Sequence, residues 1–148
     1  MTTQYERILV PTDGSPEAEV AVAHAVELAA RYDATLHALS VVDVSHFRGV
    51  DADTSVIVDG FETEAQAAVD HVADAGAAAG VTVTTALPHG KTSETILDYV
   101  DEEKIDLVVV GTRGQHGLEQ FLLGSVAERL VRTSPVPVLT VRSPADGG

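Results

Sequence analysis

The sequence predicts a doubly wound α/β fold, a five-stranded parallel sheet in the order 3-2-1-4-5 with helices on both faces, and three observations carry the prediction. Five short apolar runs alternate with segments of helical period. Of these, 35–42, 105–110 and 136–141 are nearly continuous in apolar residues, as strands covered on both faces must be. The 45% hydrophobic content rests on Val, Ala, Leu and Ile, with three Tyr, three Phe and no Trp, which suits β-branched strands layered against Ala-rich helices.

The first run, Ile8 to Val10, is short and leads into a helix with a clear start: Ser15 can cap it and Pro16 fits the first turn, where a missing N–H costs nothing. That helix should reach about Arg31. The second run is Thr35 to Val42. Val44 to Val58 has no clear period and is expected to be a long loop, functional or disordered. A second helix is expected over Asp59 to Ala79, stopped by Gly80. The third run, Val81 to Leu87, alternates at its start and so predicts an edge strand. A helix over Ser93 to Glu103, a fourth run over Ile105 to Val110, a helix from Ser125 to before Pro135, and a fifth run over Val136 to Val141 complete the chain. With right-handed crossovers and the short first strand at the centre, a crevice opens between the carboxyl ends of strands 1 and 4, the place where ligands bind in such sheets. At 148 residues, and with no stretch resembling a linker, residues 1–148 are expected to form one domain.

Nine Lys and Arg stand against 23 Asp and Glu, a formal net charge of −14, so the surface repels a nucleic-acid backbone. An ordered, acid-rich chain whose lysines are Lys91 and Lys104 suggests solubility maintained by charge in a salty cytoplasm, hence a halophilic source. The absence of cysteine excludes disulfides and thiolate chemistry. No apolar run approaches the roughly 18 residues of a membrane helix, and no apolar signal region opens the chain, so a cytoplasmic location is expected.

The loop after strand 4 carries the most chemistry: Gly111-Thr112-Arg113-Gly114-Gln115-His116-Gly117, then Gly124-Ser125 at the next helix. Glycines let backbone N–H groups approach phosphate oxygens, and a helix starting at Ser125 aims unsatisfied N–H groups and a positive dipole end at the same anion. Each dipole contact is worth only about 0.3 to 1 kcal/mol when exposed, so several must converge. Arg113 would add a cation. The same glycines also suit a plain turn, with Ser125-Val126-Ala127-Glu128 as a capping box.

The spacing Gly111, two residues, Gly114, nine residues, Gly124-Ser125 resembles the nucleotide-binding pattern of the universal stress protein family. So do Ile8-Leu9-Val10-Pro11-Thr12-Asp13-Gly14-Ser15 at the opening, Ser40-Val41-Val42-Asp43 after the second strand and Ser134-Pro135-Val136-Pro137-Val138-Leu139 at the close, so the likeness runs from end to end. It implies a member of the ATP-binding subgroup, with Mg²⁺ or Mn²⁺ bridging the phosphates. In that resemblance Gly111, Thr112, Arg113 and Gly114 line ribose and phosphates, and Gly124, Ser125 and the amide of Val126 hold the outer phosphates. Pro11, Thr12 and Asp13 flank the adenosine, and Val41 meets adenine through its backbone. The chemistry is compatible, since a carboxylate such as Asp13 accepts from ribose hydroxyls and Val41 offers an apolar wall with peptide groups for a base edge. The other reading of Asp13 is an Asx turn before the helix. Ala127 departs from ATP-binding relatives, which often carry a hydroxyl there, and this bears on affinity.

Gly90-Lys91-Thr92 imitates the tail of a P-loop, but that motif needs a glycine where Thr85 stands, and Pro88 stiffens the intervening loop. No dinucleotide fingerprint occurs, and the six histidines lack metal-ligand spacing, as expected of surface or packing residues. Ser15 and Ser125 have no identifiable base, so the expected function is nucleotide-dependent regulation or stress response with at most slow hydrolysis. The alternatives are an interaction module of the same fold with an empty pocket, and a true ATPase or phosphotransferase. The mass of any co-purified nucleotide and the turnover rate discriminate them. A homodimer through the last strand is expected, because Val136 to Val141 would leave an apolar edge interrupted only by Pro135 and Pro137.

Overall fold

The computed structural model describes residues 4–43, 54–112 and 124–142. The first strand, β1 (Arg7–Pro11), leads to helix α1 (Pro16–Tyr32) and strand β2 (Thr35–Leu39). Helix α2 (Thr54–Ala78), strand β3 (Val83–Ala86), helix α3 (Thr92–Glu102), strand β4 (Leu107–Gly111), helix α4 (Ser125–Thr133) and strand β5 (Val138–Val141) follow. All pairings are parallel, in the order β3-β2-β1-β4-β5. The expected fold and strand order are therefore correct, with β3 at one edge and β1 in the centre.

Strand periodicity divides the core into two layers. Ile8, Val10, Leu36, Ala38, Leu107, Val109 and Val141 face the side packed by Ala21, Val22, Ala25 and Val26 of α1 and Val69 and Val72 of α2. Leu9, Leu39, Val108 and Val110 face the side packed by Ile96 and Val100 of α3 and Ala127 and Leu130 of α4. Alternating side chains of one strand thus serve opposite faces, which is why Ile8 to Val10 of β1 and Leu107 to Val110 of β4 are all apolar.

Local chemistry sets the ends of α1. Ser15 accepts from Ala18 N–H at 3.2 Å as N-cap, and Asp33 closes the helix in the left-handed region at φ 55°. Two expectations need correction. Helix α2 begins at Thr54 rather than Asp59, so the end of the stretch expected to be loop is helical, while 44–53 lie outside the described residues. The N-cap of α4 is Gly124, with no side-chain cap bond, and Ser125 is the first helical residue. The capping-box pattern fails there because Ser125 sits one position too far along to accept from its own first turn.

Candidate functional site

The ladder between the two central strands is short. β1 pairs with β2 as far as Pro11↔Leu39 and β4 pairs with β5 as far as Gly111↔Val141, but β1 and β4 pair only at Ile8↔Leu107 and Leu9↔Val108. Beyond that point both strands run on without pairing to one another, and their carboxyl ends border the expected crevice.

On the β1 side, Thr12 is buried, its N–H donates to Leu39 O at 2.8 Å and its Oγ1 accepts from Gly14 N–H at 3.1 Å. Its side chain is a structural part of the loop. Asp13 is exposed, and its Oδ1 accepts from Ser15 N–H at 2.9 Å, so the Asx turn is present. Gly14, at φ 78°, supplies the left-handed backbone that returns the chain into α1.

Val41 lies beside this turn. The N–H groups of Leu36, Ser40 and Val42 point to the β3 side, donating to Thr82, Ala86 and Pro88, whereas that of Thr35 points to the β1 side, donating to Glu6 O. By the same alternation the Val41 peptide faces the β1 side, where β1 has already ended. Among the described residues its N–H and carbonyl have no hydrogen-bond partner, and its side chain packs partly buried against the α3/α4 layer.

On the β4 side, Gly111 is buried and Thr112 donates its N–H to Val141 O at 3.0 Å. Gly124 N–H donates to Thr112 O, which ties the two ends of the loop together at the mouth of the crevice. The first backbone bond within α4 runs from Glu128 N–H to Gly124 O, so the N–H groups of Ser125, Val126 and Ala127 have no helical acceptor. These amides, at the positive end of the α4 dipole, are what an anion could engage. Arg113 and Gly114, both expected to line the site, lie outside the described residues. Ala127 is a core residue, 3% exposed among Ile96, Val108 and Leu130, so a hydroxyl there would need a buried partner.

Two residues escaped the sequence. Asp43 Oδ2 accepts from Thr92 N–H at 3.3 Å and from Thr92 Oγ1–H at 3.2 Å, capping α3 from the end of β2. No local pattern announces a pair 49 residues apart. The contact also explains why Gly90-Lys91-Thr92 is no P-loop, since a carboxylate holds the amide that a phosphate would need. A separate open groove of about 500 Å³ lies between the outer face of α2 and Leu87. Its Glu62 is paired with His89 at 2.9 Å and its Asp70 with Gln66 at 2.8 Å. Among the described residues no helix is long and apolar enough to cross a membrane.

The universal stress protein family model matches residues 4–142. A universal stress protein of Methanocaldococcus jannaschii is 39% identical over 142 residues, covering 95% of this chain and 84% of the relative. The structure of universal stress protein UspA from Lactobacillus plantarum superposes with a TM-score of 0.86 at 32% identity, covering 95% of this chain and 100% of the other. A universal stress protein solved in complex with cAMP is similar at a TM-score of 0.71 and 28% identity, covering 95% and 98% of the two chains. With the parallel order β3-β2-β1-β4-β5 and a family match spanning nearly the whole chain, this protein belongs to the universal stress protein family.

Proposed function

We propose that this chain is an ATP-binding universal stress protein that regulates through its nucleotide-bound state, with little or slow hydrolysis. The observation that carries the reading is the crevice where β1 and β4 cease to pair, bordered on one side by the Val41 peptide and on the other by the first-turn amides of α4, neither of which has a hydrogen-bond partner among the described residues. One end offers a donor and an acceptor for a base edge and the other offers donors for phosphate, a polarity that suits a nucleotide better than a uniformly apolar ligand. The cAMP held by a relative at 28% identity supports the same ligand class.

In this reading Pro11, Thr12 and Asp13 flank the adenosine, with the Asp13 carboxylate as an acceptor for ribose hydroxyls. Gly111, Thr112, Arg113 and Gly114 follow the ribose and phosphates, and Gly124, Ser125 and Val126 take the outer phosphates. Among the described residues no three His, Asp or Glu side chains are grouped to hold a metal ion, so Mg²⁺ or Mn²⁺ would enter on the phosphate oxygens and neutralise their charge beside an acidic protein. The same proposal holds residues 1–148 to be one cytoplasmic domain that dimerises through the unpaired edge of β5, on which Leu139 is exposed.

Calorimetric titration with Mg-ATP on folded variants tests the site. A side chain at position 124 would hold phosphate away from the amides, and each charge-assisted bond lost is worth about 1.5 to 3 kcal/mol. Gly124→Val should therefore weaken binding about tenfold or more, Ser125→Ala should weaken it less, and Lys91→Ala should leave it unchanged. Loss of binding in Lys91→Ala with Gly124→Val intact would show that the site has been misplaced.

A further inference from the structure

The regular part of β2 ends at Leu39, paired with Ala86, and beyond it, among the described residues, an isolated bridge, Val42↔His89, joins the two segments. Val41 sits inside that gap. Val42 N–H donates to Pro88 O at 2.8 Å and Gly90 N–H donates to Val42 O at 3.1 Å, so the segment entering α3 is also the segment that holds Val42. Lys91, the N-cap of α3, makes no side-chain cap bond. The cap comes instead from Asp43, which takes both the N–H and the hydroxyl of Thr92. Two residues after Val41, this carboxylate fastens the strand end to the start of a helix that Ile96 and Val100 anchor in the core. The Val41 peptide is thus fixed on one flank by the sheet at Leu39 and on the other by Asp43–Thr92.

We infer that Asp43 and Thr92 are positioning residues for nucleobase selection: their link holds the N–H and carbonyl of Val41, unpartnered among the described residues, in the register that accepts adenine and refuses guanine. The inference rests on the nucleotide reading of the crevice. Adenine presents a donor at N6 where guanine presents an acceptor at O6, so one peptide discriminates between them only if its donor and acceptor stay in place. A peptide free to shift by a fraction of a residue can satisfy either base. Neither side chain is assigned a contact with the nucleotide, so the expected effect falls on selectivity.

Titration calorimetry with Mg-ATP, Mg-GTP and inorganic tripolyphosphate on the full chain tests this, each variant being checked first for cooperative unfolding. Asp43→Ala and Thr92→Val should narrow the ATP-over-GTP preference by about fivefold to tenfold, the loss of roughly one hydrogen bond's worth of positioning. Tripolyphosphate binding should stay within about twofold of the parent, because the α4 amides are untouched. Asp43→Asn, which keeps an acceptor, and Thr92→Ser, which keeps the hydroxyl, should restore the preference. Should Asp43→Ala fail to fold, Thr92→Val tests the same link with the backbone half of the cap in place. An unchanged ATP-over-GTP ratio, or equal weakening of ATP and tripolyphosphate, in variants of a parent that prefers ATP would overturn the inference alone. A parent that binds no nucleotide brings down the nucleotide reading as well, and one that binds ATP and GTP equally removes the base selection proposed.

Discussion

At the scale of single residues, the buried polar groups show how little freedom this core allows. His37 on β2 is 6% exposed, and its Nδ1 lies 2.7 Å from the Tyr99 hydroxyl of α3, with the rings packed edge to face. Burial lowers its pKa below 6.5, Glu103 at the C-cap of α3 opposes that shift and Arg7 of β1 adds to it. Burial, with Glu103 in the same direction, raises the Tyr99 pKa. Below pH 6.5 the unfolded chain binds a proton at His37 that the folded chain resists, so stability is complete above that value and falls with pH down through the folded pKa. The slope is bounded by one proton, about 1.4 kcal/mol per pH unit. Urea unfolding at pH 7.5 and 5.5 should show this loss in the parent and a smaller one in His37→Gln. Equal losses in both would assign the acid sensitivity elsewhere. Among the described histidines His37 is a packing residue, and its partner, 62 residues away, is out of reach of any local pattern.

At the scale of elements, α2 shows why a glycine cannot be interpreted from its helix alone. A Cβ at Gly76 would stand 2.3 Å from Val83 Cγ2 and 3.5 Å from Val81 O, whereas one at Gly60 would meet nothing within 4 Å. Both glycines lower helix propensity by roughly 1 kcal/mol relative to alanine. Gly60→Ala should therefore stabilise the protein by about 0.5 to 1 kcal/mol. Gly76→Ala should cost about 1 to 3 kcal/mol for overpacking against a stiff β-branched side chain, more than the propensity gain returns. Thermal unfolding that ranks Gly76→Ala above the parent would mean that α2 slides on β3 at little cost. The start of α2 at Thr54 is not legible in the sequence, because 54–58 lacks the polar-apolar contrast that marks an amphipathic turn, and Val56 is 68% exposed. The third run was legible as an edge strand, and β3 does lie at the edge of the sheet, although its adjacent Thr84 and Thr85 are both exposed and its burial does not alternate.

At the scale of the whole molecule, charge and the open β5 edge are the governing features. A formal net charge of −14 on a 15.5 kDa chain sets carboxylates repelling across a small surface. That repulsion weakens as the Debye length falls from about 10 Å at 0.1 M salt to about 3 Å at 1 M. The melting temperature should rise between dilute buffer and molar KCl, with light scattering giving twice the 15.5 kDa mass across that range if β5 pairs with its copy. A flat or falling melting curve counts against the halophilic reading, and a stable monomer ends the proposal of a β5 dimer.

The sequence by itself determined the fold class, the strand order and the central place of β1, because apolar periodicity, a short first strand and right-handed crossovers leave few other arrangements. It also brought Pro11 to Asp13 and Gly111 to the carboxyl ends of adjacent strands, since topology alone puts them there. Only the tertiary structure decided that Thr12 is consumed by its own loop, that Gly124 rather than Ser125 caps α4, that Ala127 belongs to the core and that Asp43 caps α3. Each of these depends on which hydrogen-bonding groups are left over once distant segments have packed, and a leftover peptide such as that of Val41 is defined by the end of a neighbouring strand, which no local pattern around Val41 encodes.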